Sequence, residues 1–197
     1  MSYIIVGLGN PGEEYEGSRH NTGRIILEAL AGKRGFSEWK KDKKLNALVS
    51  NGEIAGKRAC LLLPETYMNK SGLSVKKLVT GPQKVKKLIV VHDDIDLPLG
   101  RFKVSIDRGD GGHNGVASII RSIRTKEFAR IRVGVSPAVR GSNRPRKPEG
   151  KKNVLDFLMG NFRNPERVVI DLAAKDVDKA IQTIIENGVE AAMNEFN

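Results

Sequence analysis

Five polar residues stand where chemistry is possible: Asn10, His20, Asn69, Asp93 and Asn114. His20 lies in Ser18-Arg19-His20-Asn21-Thr22-Gly23, just ahead of a helix-like segment, and a lone histidine there is more often structural than catalytic. Its standing rises because His92-Asp93-Asp94-Ile95-Asp96 follows Leu88-Ile89-Val90-Val91, the most buried-looking strand of the chain. Carboxylates at the end of such a strand face a crevice rather than the core. Asp93 is placed to accept a hydrogen bond from one His20 nitrogen, which fixes the tautomer and leaves the other nitrogen as a base. No candidate serine or cysteine nucleophile accompanies the pair, so the expected reaction is hydrolysis by an activated water. An asparagine amide donates to a developing oxyanion without carrying charge. That role is open to Asn10, Asn69 and Asn114, although each is also a natural turn or cap residue, and Asn114 suits the cap of the helix that follows.

Two other chemistries share some of these residues. His20, His92, His113 and the aspartates could converge on a metal, yet none has a tight ligand spacing such as His-x-x-x-His, and the expectation is no metal and no cofactor. Gly7-x-Gly9-x-x-Gly12 after a strand matches the dinucleotide fingerprint letter for letter. Pro11, however, biases Asn10 away from helical angles, and Glu13, Glu14 and Glu16 would repel a pyrophosphate. No second strand ending in an acidic residue follows about 20 residues on. The loop is expected instead to hold Asn10 at a strand's carboxyl end, where open α/β sheets place their sites. Gly111, Gly112 and Gly115 permit a backbone pocket at a helix N-terminus, suited to an anion such as phosphate.

The elements that must carry these residues alternate, which predicts an α/β fold. Strands are expected at 3–6, at 45–49 and 58–63 flanking a turn at Asn51-Gly52, at 88–91, at 101–106 and at 129–135. Helices are expected at 25–31, at 71–79 and at 116–123. A last helix takes Asn164 as N-cap and Pro165 as first residue. Its face recurs through Val168, Val169, Leu172, Ala173, Val177, Ala180, Ile181, Ile184 and Ile185, and it stops at Asn187-Gly188. Residues 138–152 hold Arg140, Arg144, Arg146, Lys147, Lys151 and Lys152 against Glu149 alone. With its prolines and glycines this segment reads as a mobile basic loop, either a solubilising insertion or a phosphate contact.

At 197 residues the chain fits one domain, 1–197. Its 5% aromatic content makes the expected core aliphatic. The net charge of +11, with a pI near 9.8, creates a field that attracts polyanions and names a class of partner rather than a reaction. Cys60, the single cysteine, excludes an internal disulfide and reads as a buried strand thiol. No apolar run approaches the roughly 20 residues needed to cross a bilayer, and no basic leader precedes the first strand. The chain reads as cytoplasmic with no membrane partner.

These motifs taken together resemble the bacterial peptidyl-tRNA hydrolases. The resemblance runs in order through Gly7-Leu8-Gly9-Asn10-Pro11-Gly12, Tyr15, Arg19-His20-Asn21-x-Gly23 and Met68-Asn69-x-Ser71-Gly72. It continues through His92-Asp93-Asp94-Ile95-Asp96-x-Pro98-x-Gly100, Gly111-Gly112-His113-Asn114-Gly115 and 128–134, then resumes at 154–162. It implies a single-domain monomer with a central mixed, twisted sheet between helices, no obligate protein partner, and the acceptor end of peptidyl-tRNA as substrate. The activity implied is hydrolysis of the ester between a peptide and the 3′ end of tRNA. His20 supported by Asp93 would be catalytic, and Asn10, Tyr15, Met68, Asn69 and Asn114 would bind the substrate. Lys103, Arg108, His113 and Arg132 would meet tRNA. Ser105 stands where the family commonly carries a second basic clamp residue, Pro64-Glu65-Thr66 departs from the usual pattern, and the basic loop is longer than typical. The alternative is a non-catalytic RNA-binding relative of the same fold, against which the survival of the whole polar set argues.

Overall fold

The computed structural model describes residues 2–197. Among the described residues seven strands form one sheet: β1 (Tyr3–Gly7), β2 (Lys40–Asp42), β3 (Ala47–Ile54), β4 (Lys57–Pro64), β5 (Leu88–Pro98), β6 (Phe102–Ser105) and β7 (Ala129–Ser136). Their spatial order is β2-β3-β4-β1-β5-β7-β6. β4, β1, β5 and β7 run parallel, whereas β2, β3 and β6 pair antiparallel with their neighbours. Ile4, Ile5, Val6 and Leu88 to Val91 are all buried, as strands covered on both faces require. The expected α/β class with a mixed sheet is the observed one.

The helices are α1 (Thr22–Arg34), α2 (Gly72–Val75), α3 (Pro82–Val85), α4 (Asn114–Ile123), α5 (Lys151–Met159), α6 (Asn164–Asn187) and α7 (Val189–Phe196). On one face of the sheet, Ile26, Leu27 and Leu30 of α1, Val177 and Ile181 of α6 and Ala192 of α7 share a core with Ile5, Val91 and Ile131. On the other, Val75, Val116 and Ile119 pack with Val6, Leu62, Val90 and Phe128. Among the described residues no helix is long and apolar enough to cross a membrane.

α1 lies close against β1 at Gly23. A Cβ there would stand 2.3 Å from the Val91 carbonyl oxygen and 2.5 Å from the Leu8 nitrogen, both backbone atoms that cannot swing aside. Gly23→Ala is therefore expected to destabilise the fold by about 3 kcal/mol. Urea unfolding would show a lower midpoint at unchanged slope; an unshifted midpoint would mean that α1 moves away without cost.

Several elements differ from their sequence expectation, each for a tertiary reason. β3 runs straight through Asn51-Gly52, which pair with Cys60 and Ala59. The hairpin instead turns at Ala55-Gly56, both with positive φ, as a two-residue turn with matching twist requires. A turn at Asn51 would pull Ile54, now 1% exposed, out of the core. The expected helix 71–79 is only α2, preceded by a tight turn at Met68–Lys70. Ser71 and Ser74 hydroxyls donate to the Met68 and Asn46 carbonyls, and the Gly72 N–H donates to Ser118 Oγ of α4. Contacts made outside the helix thus replace its continuation.

The last long helix begins one residue early, with Arg163 as its cap. The Glu166 carboxylate accepts the Arg163 N–H at 2.8 Å, which supplies the cap that Asn164 was expected to give. Val168, Val169 and Leu172 sit off the stripe that faces the sheet and stay exposed, at 58%, 36% and 53%. Residues 138–152 are not loop throughout: Ala138 bridges Pro145, and Lys151 and Lys152 open α5. Neither α5 nor α7 is foreseen by the hydrophobic periodicity.

Candidate active site

The site forms at the carboxyl ends of β1 and β5. After β1 the chain does not enter a helix at the glycine turn, and α1 starts only at Thr22. The intervening loop is locked by Asn21, whose side-chain oxygen accepts the Asn10 N–H at 2.8 Å. Its amide nitrogen donates to the Asn10 carbonyl at 3.0 Å. The Asn10 side-chain oxygen in turn accepts the Met68 N–H at 2.8 Å, so its Nδ2 is the end left to donate. That nitrogen lies 4.0 Å from the Met159 sulfur at the end of α5.

His20 enters from a tight turn at Arg19–Asn21, and its Nδ1 is 3.0 Å from both oxygens of Asp93. A carboxylate held there can only accept, so Nδ1 carries the proton and Nε2 is the nitrogen left for chemistry. Burial disfavours the His20 imidazolium, but the charge and hydrogen bond of Asp93 outweigh it and lift the group above its ordinary value. Asp93 is itself buried, which alone would raise it. His20 and His113 more than reverse that and hold the carboxyl far below the usual range.

The second donor to Asp93 is His113, whose Nε2 lies 3.0 Å from Oδ1. His113 caps α4: its Nδ1 accepts the Gly115 and Val116 N–H groups at 3.1 and 3.3 Å. With Nδ1 an acceptor, the proton sits on Nε2 and points at Asp93. His20, Asp93 and His113 are close enough to hold a metal ion. Yet His113 Nε2 offers no lone pair while the two amides hold its other nitrogen, so the set suits hydrogen bonding better than coordination. His92 lies beside His113, ring centroids 4.7 Å apart, and its Nδ1–H donates to the Asp93 carbonyl at 2.7 Å. Burial and the neighbouring His113 push His92 well below its ordinary value, so it stays neutral.

A cavity of about 560 Å³ opens beside this cluster. Of the residues singled out from sequence, His20, Asp93, Arg108, His113, Asn114 and Arg132 line it. Asn10 and Met68 are buried to one side, Tyr15 is half-buried, and Asn69 is exposed. Asn114, exposed, is the first residue of α4 rather than its cap. Lys103 lies outside the cavity wall but directly opposite Arg132 across β6 and β7, so the two side chains share a face. Arg132 Nε is 2.6 Å from Asp94 Oδ2, and His113 is turned to Asp93 rather than to solvent.

Sequence reasoning passed over three groups that line or brace the site. Arg130, 2% exposed, reaches from β7 to the carbonyls of Arg108 and Gly109 at 2.7 and 2.8 Å, which anchors the loop leading to Asn114. The spacing Arg130-x-Arg132 on an apolar strand was a signal, since residues two apart share a face. Arg19 donates to the Gly160 and Asn161 carbonyls, pairs with Glu166 at 2.8 Å and lies over the Phe157 ring. It thereby ties α5 and α6 to the turn that carries His20. Leu155 and Leu158 of α5 complete the apolar side of the cavity.

Comparison with known proteins gives the same order of elements a name. A sequence model of the family described as peptidyl-tRNA hydrolase matches residues 4–197. The peptidyl-tRNA hydrolase of Thermoanaerobacter sp. (strain X514) is 39% identical over 196 residues, 99% of each chain. That of Syntrophotalea carbinolica is 35% identical over 98% of this chain and 96% of its own. The crystal structure of peptidyl-tRNA hydrolase from Acinetobacter baumannii superposes with a TM-score of 0.87 at 34% identity, covering 100% of this chain and 94% of that one. With its sequence matched from end to end and its fold shared, the chain belongs to the peptidyl-tRNA hydrolase family of enzymes.

Proposed function

We propose that the chain hydrolyses the ester joining a peptide, or an N-blocked aminoacyl group, to the 3′ end of tRNA. It would act as a cytoplasmic monomer with no cofactor, metal or obligate protein partner. The observation that carries this reading is the His20–Asp93 pair at the wall of the cavity, with Nδ1 held at 3.0 Å and Nε2 left to act. His20 Nε2 takes a proton from water as the water oxygen attacks the ester carbonyl carbon. Asn10 Nδ2, its oxygen already committed to Met68, donates to the oxyanion. Collapse of the tetrahedral intermediate breaks the bond to the ribose oxygen, which takes the proton back from His20. Free peptide and tRNA with a bare 3′ hydroxyl are released. An ester needs less leaving-group assistance than an amide, so one neutral general acid–base suffices.

Tyr15, Met68, Asn69 and Asn114 would flank the acyl and adenosine ends of the substrate. Arg132, Lys103 and Arg108 would meet phosphate, with Arg132 exchanging its Asp94 partner for the RNA. The test is release of N-acetyl-amino acid from N-acetyl-aminoacyl-tRNA with a chelator present throughout. Cleavage that persists in chelator supports the reading. Binding of tRNA without cleavage would leave a non-catalytic RNA-binding protein.

A further inference from the structure

Residues 138–147 leave the end of β7, and the chain returns beside the cavity to start α5. The segment is a short hairpin: Ala138 bridges Pro145, the Val139 N–H donates to the Arg144 carbonyl at 2.8 Å, and the Arg146 N–H donates to the Pro137 carbonyl at 2.7 Å. Gly141, at φ 75°, turns its tip. The hairpin contributes nothing to the apolar core, and its largest apolar side chain, Val139, is 42% exposed. What it displays is charge. Arg140, Arg144 and Arg146 are exposed, and among the described residues none forms an ion pair with a carboxylate. At its foot Lys147 pairs with Asp96 on the cavity wall at 2.6 Å, and Lys151 lines the same cavity.

Three like charges gathered on one small hairpin repel one another, and among the described residues no carboxylate pairs with them. An external polyanion would relieve that repulsion and be attracted by it. From the geometry we infer that this hairpin is a second RNA-contact surface, which grips the phosphate backbone of the bound tRNA beyond its 3′ end. This rests on tRNA being the substrate. The five residue-to-residue steps from Ser136 to Gly141 span at most about 17 Å when extended. A reach of that order exceeds the few ångströms between successive phosphates along one strand, so arginines on the hairpin can meet backbone other than the nucleotide held in the cavity. The contact is with backbone and not bases, because the deep, narrow major groove of an A-form RNA stem is closed to side chains and leaves its phosphates to the guanidinium groups.

The experiment compares wild type with Arg140→Gln/Arg144→Gln/Arg146→Gln and with a charge-matched control, Lys40→Gln/Lys43→Gln/Lys44→Gln. The control lysines are exposed and lie at or beside β2, the opposite edge of the sheet. Affinity for deacylated tRNA is measured against salt concentration, and steady-state hydrolysis of N-acetyl-aminoacyl-tRNA is measured alongside. For the arginine variant the log–log salt slope is expected to shrink by about 2, and KM to rise about tenfold or more, with kcat unchanged. The lysine control should keep the wild-type slope. Equal loss in both variants would reduce the effect to net charge and overturn the inference. So would an unchanged slope, or a fall in kcat at unchanged slope, which would place the arginines at the chemistry. Absence of hydrolysis by wild type would sink the hydrolase reading alone, since the salt slope is read on binding.

Discussion

His20→Ala is expected to lower kcat on N-acetyl-aminoacyl-tRNA by about 10²- to 10⁴-fold, the range for loss of a positioned general base. KM should change little, because His20 Nε2 acts on the water and the other tRNA contacts stay in place. The side chain is 8% exposed and, among the described residues, hydrogen-bonded to Asp93 alone, so truncation also leaves a small buried void. A melting curve should accompany the kinetics, to separate a folded, inactive variant from an unfolded one. A folded variant that kept more than about a tenth of wild-type kcat would remove His20 from the chemistry and direct attention to His113.

Asp93→Asn should cost nearly as much, for a different reason. The carboxylate accepts from two imidazoles at once, His20 Nδ1 and His113 Nε2. An asparagine brings one oxygen and one amide, so one imidazole must then face a donor. The cap on α4 fixes the proton of His113 at Nε2, which leaves His20 as the ring that is free to change tautomer. A proton on His20 Nε2 disables the base, and a comparable wrong-tautomer substitution in a serine-protease triad costs about 10⁴-fold.

The pH profile distinguishes this from a loss of packing. The base must be unprotonated, so kcat/KM of wild type falls as pH drops through the His20 value. Burial lowers that value, and the charge and hydrogen bond of Asp93 more than reverse this, raising it above the ordinary imidazole range. In the asparagine variant burial remains and the charge is gone, so the acid limb of the residual activity should move to lower pH. An acid limb that stayed in place would show that Asp93 does not set the protonation of His20.

The place of the candidate site was legible in the sequence because it depends on residue type at strand and turn ends. An apolar run with no alternation, Leu88 to Val91, had to be a covered strand, and whatever followed it had to emerge at an edge of the sheet. That alone put Asp93 at a crevice. Pro11 and the glutamates after it disqualified the nucleotide-binding reading of the first glycine turn, and α1 does begin only at Thr22. The α/β class followed from the alternation of periods, and the net positive charge indicated a polyanionic partner.

Only the tertiary structure decided how these parts meet. That His113 and not Asn114 caps α4 depends on where the helix starts relative to β5, which no local propensity encodes. Asn21 proved to be the lock on Asn10 because the two residues face each other across a loop whose closure is non-local. Asn51-Gly52 carries a strong turn signal, yet burial of Ile54 outweighs it and carries the strand onward. Val168, Val169 and Leu172 share the helical period with buried neighbours, but the sheet covers only one stripe of α6 and leaves them in water. α5 could not be inferred from periodicity, because none of its residues is fully buried. Its place is set by Arg19, Glu166 and Phe157, which connect it to the turn bearing His20. Local composition determines which groups are present and which backbone shapes they favour, and long-range burial and pairing decide which of them share a site.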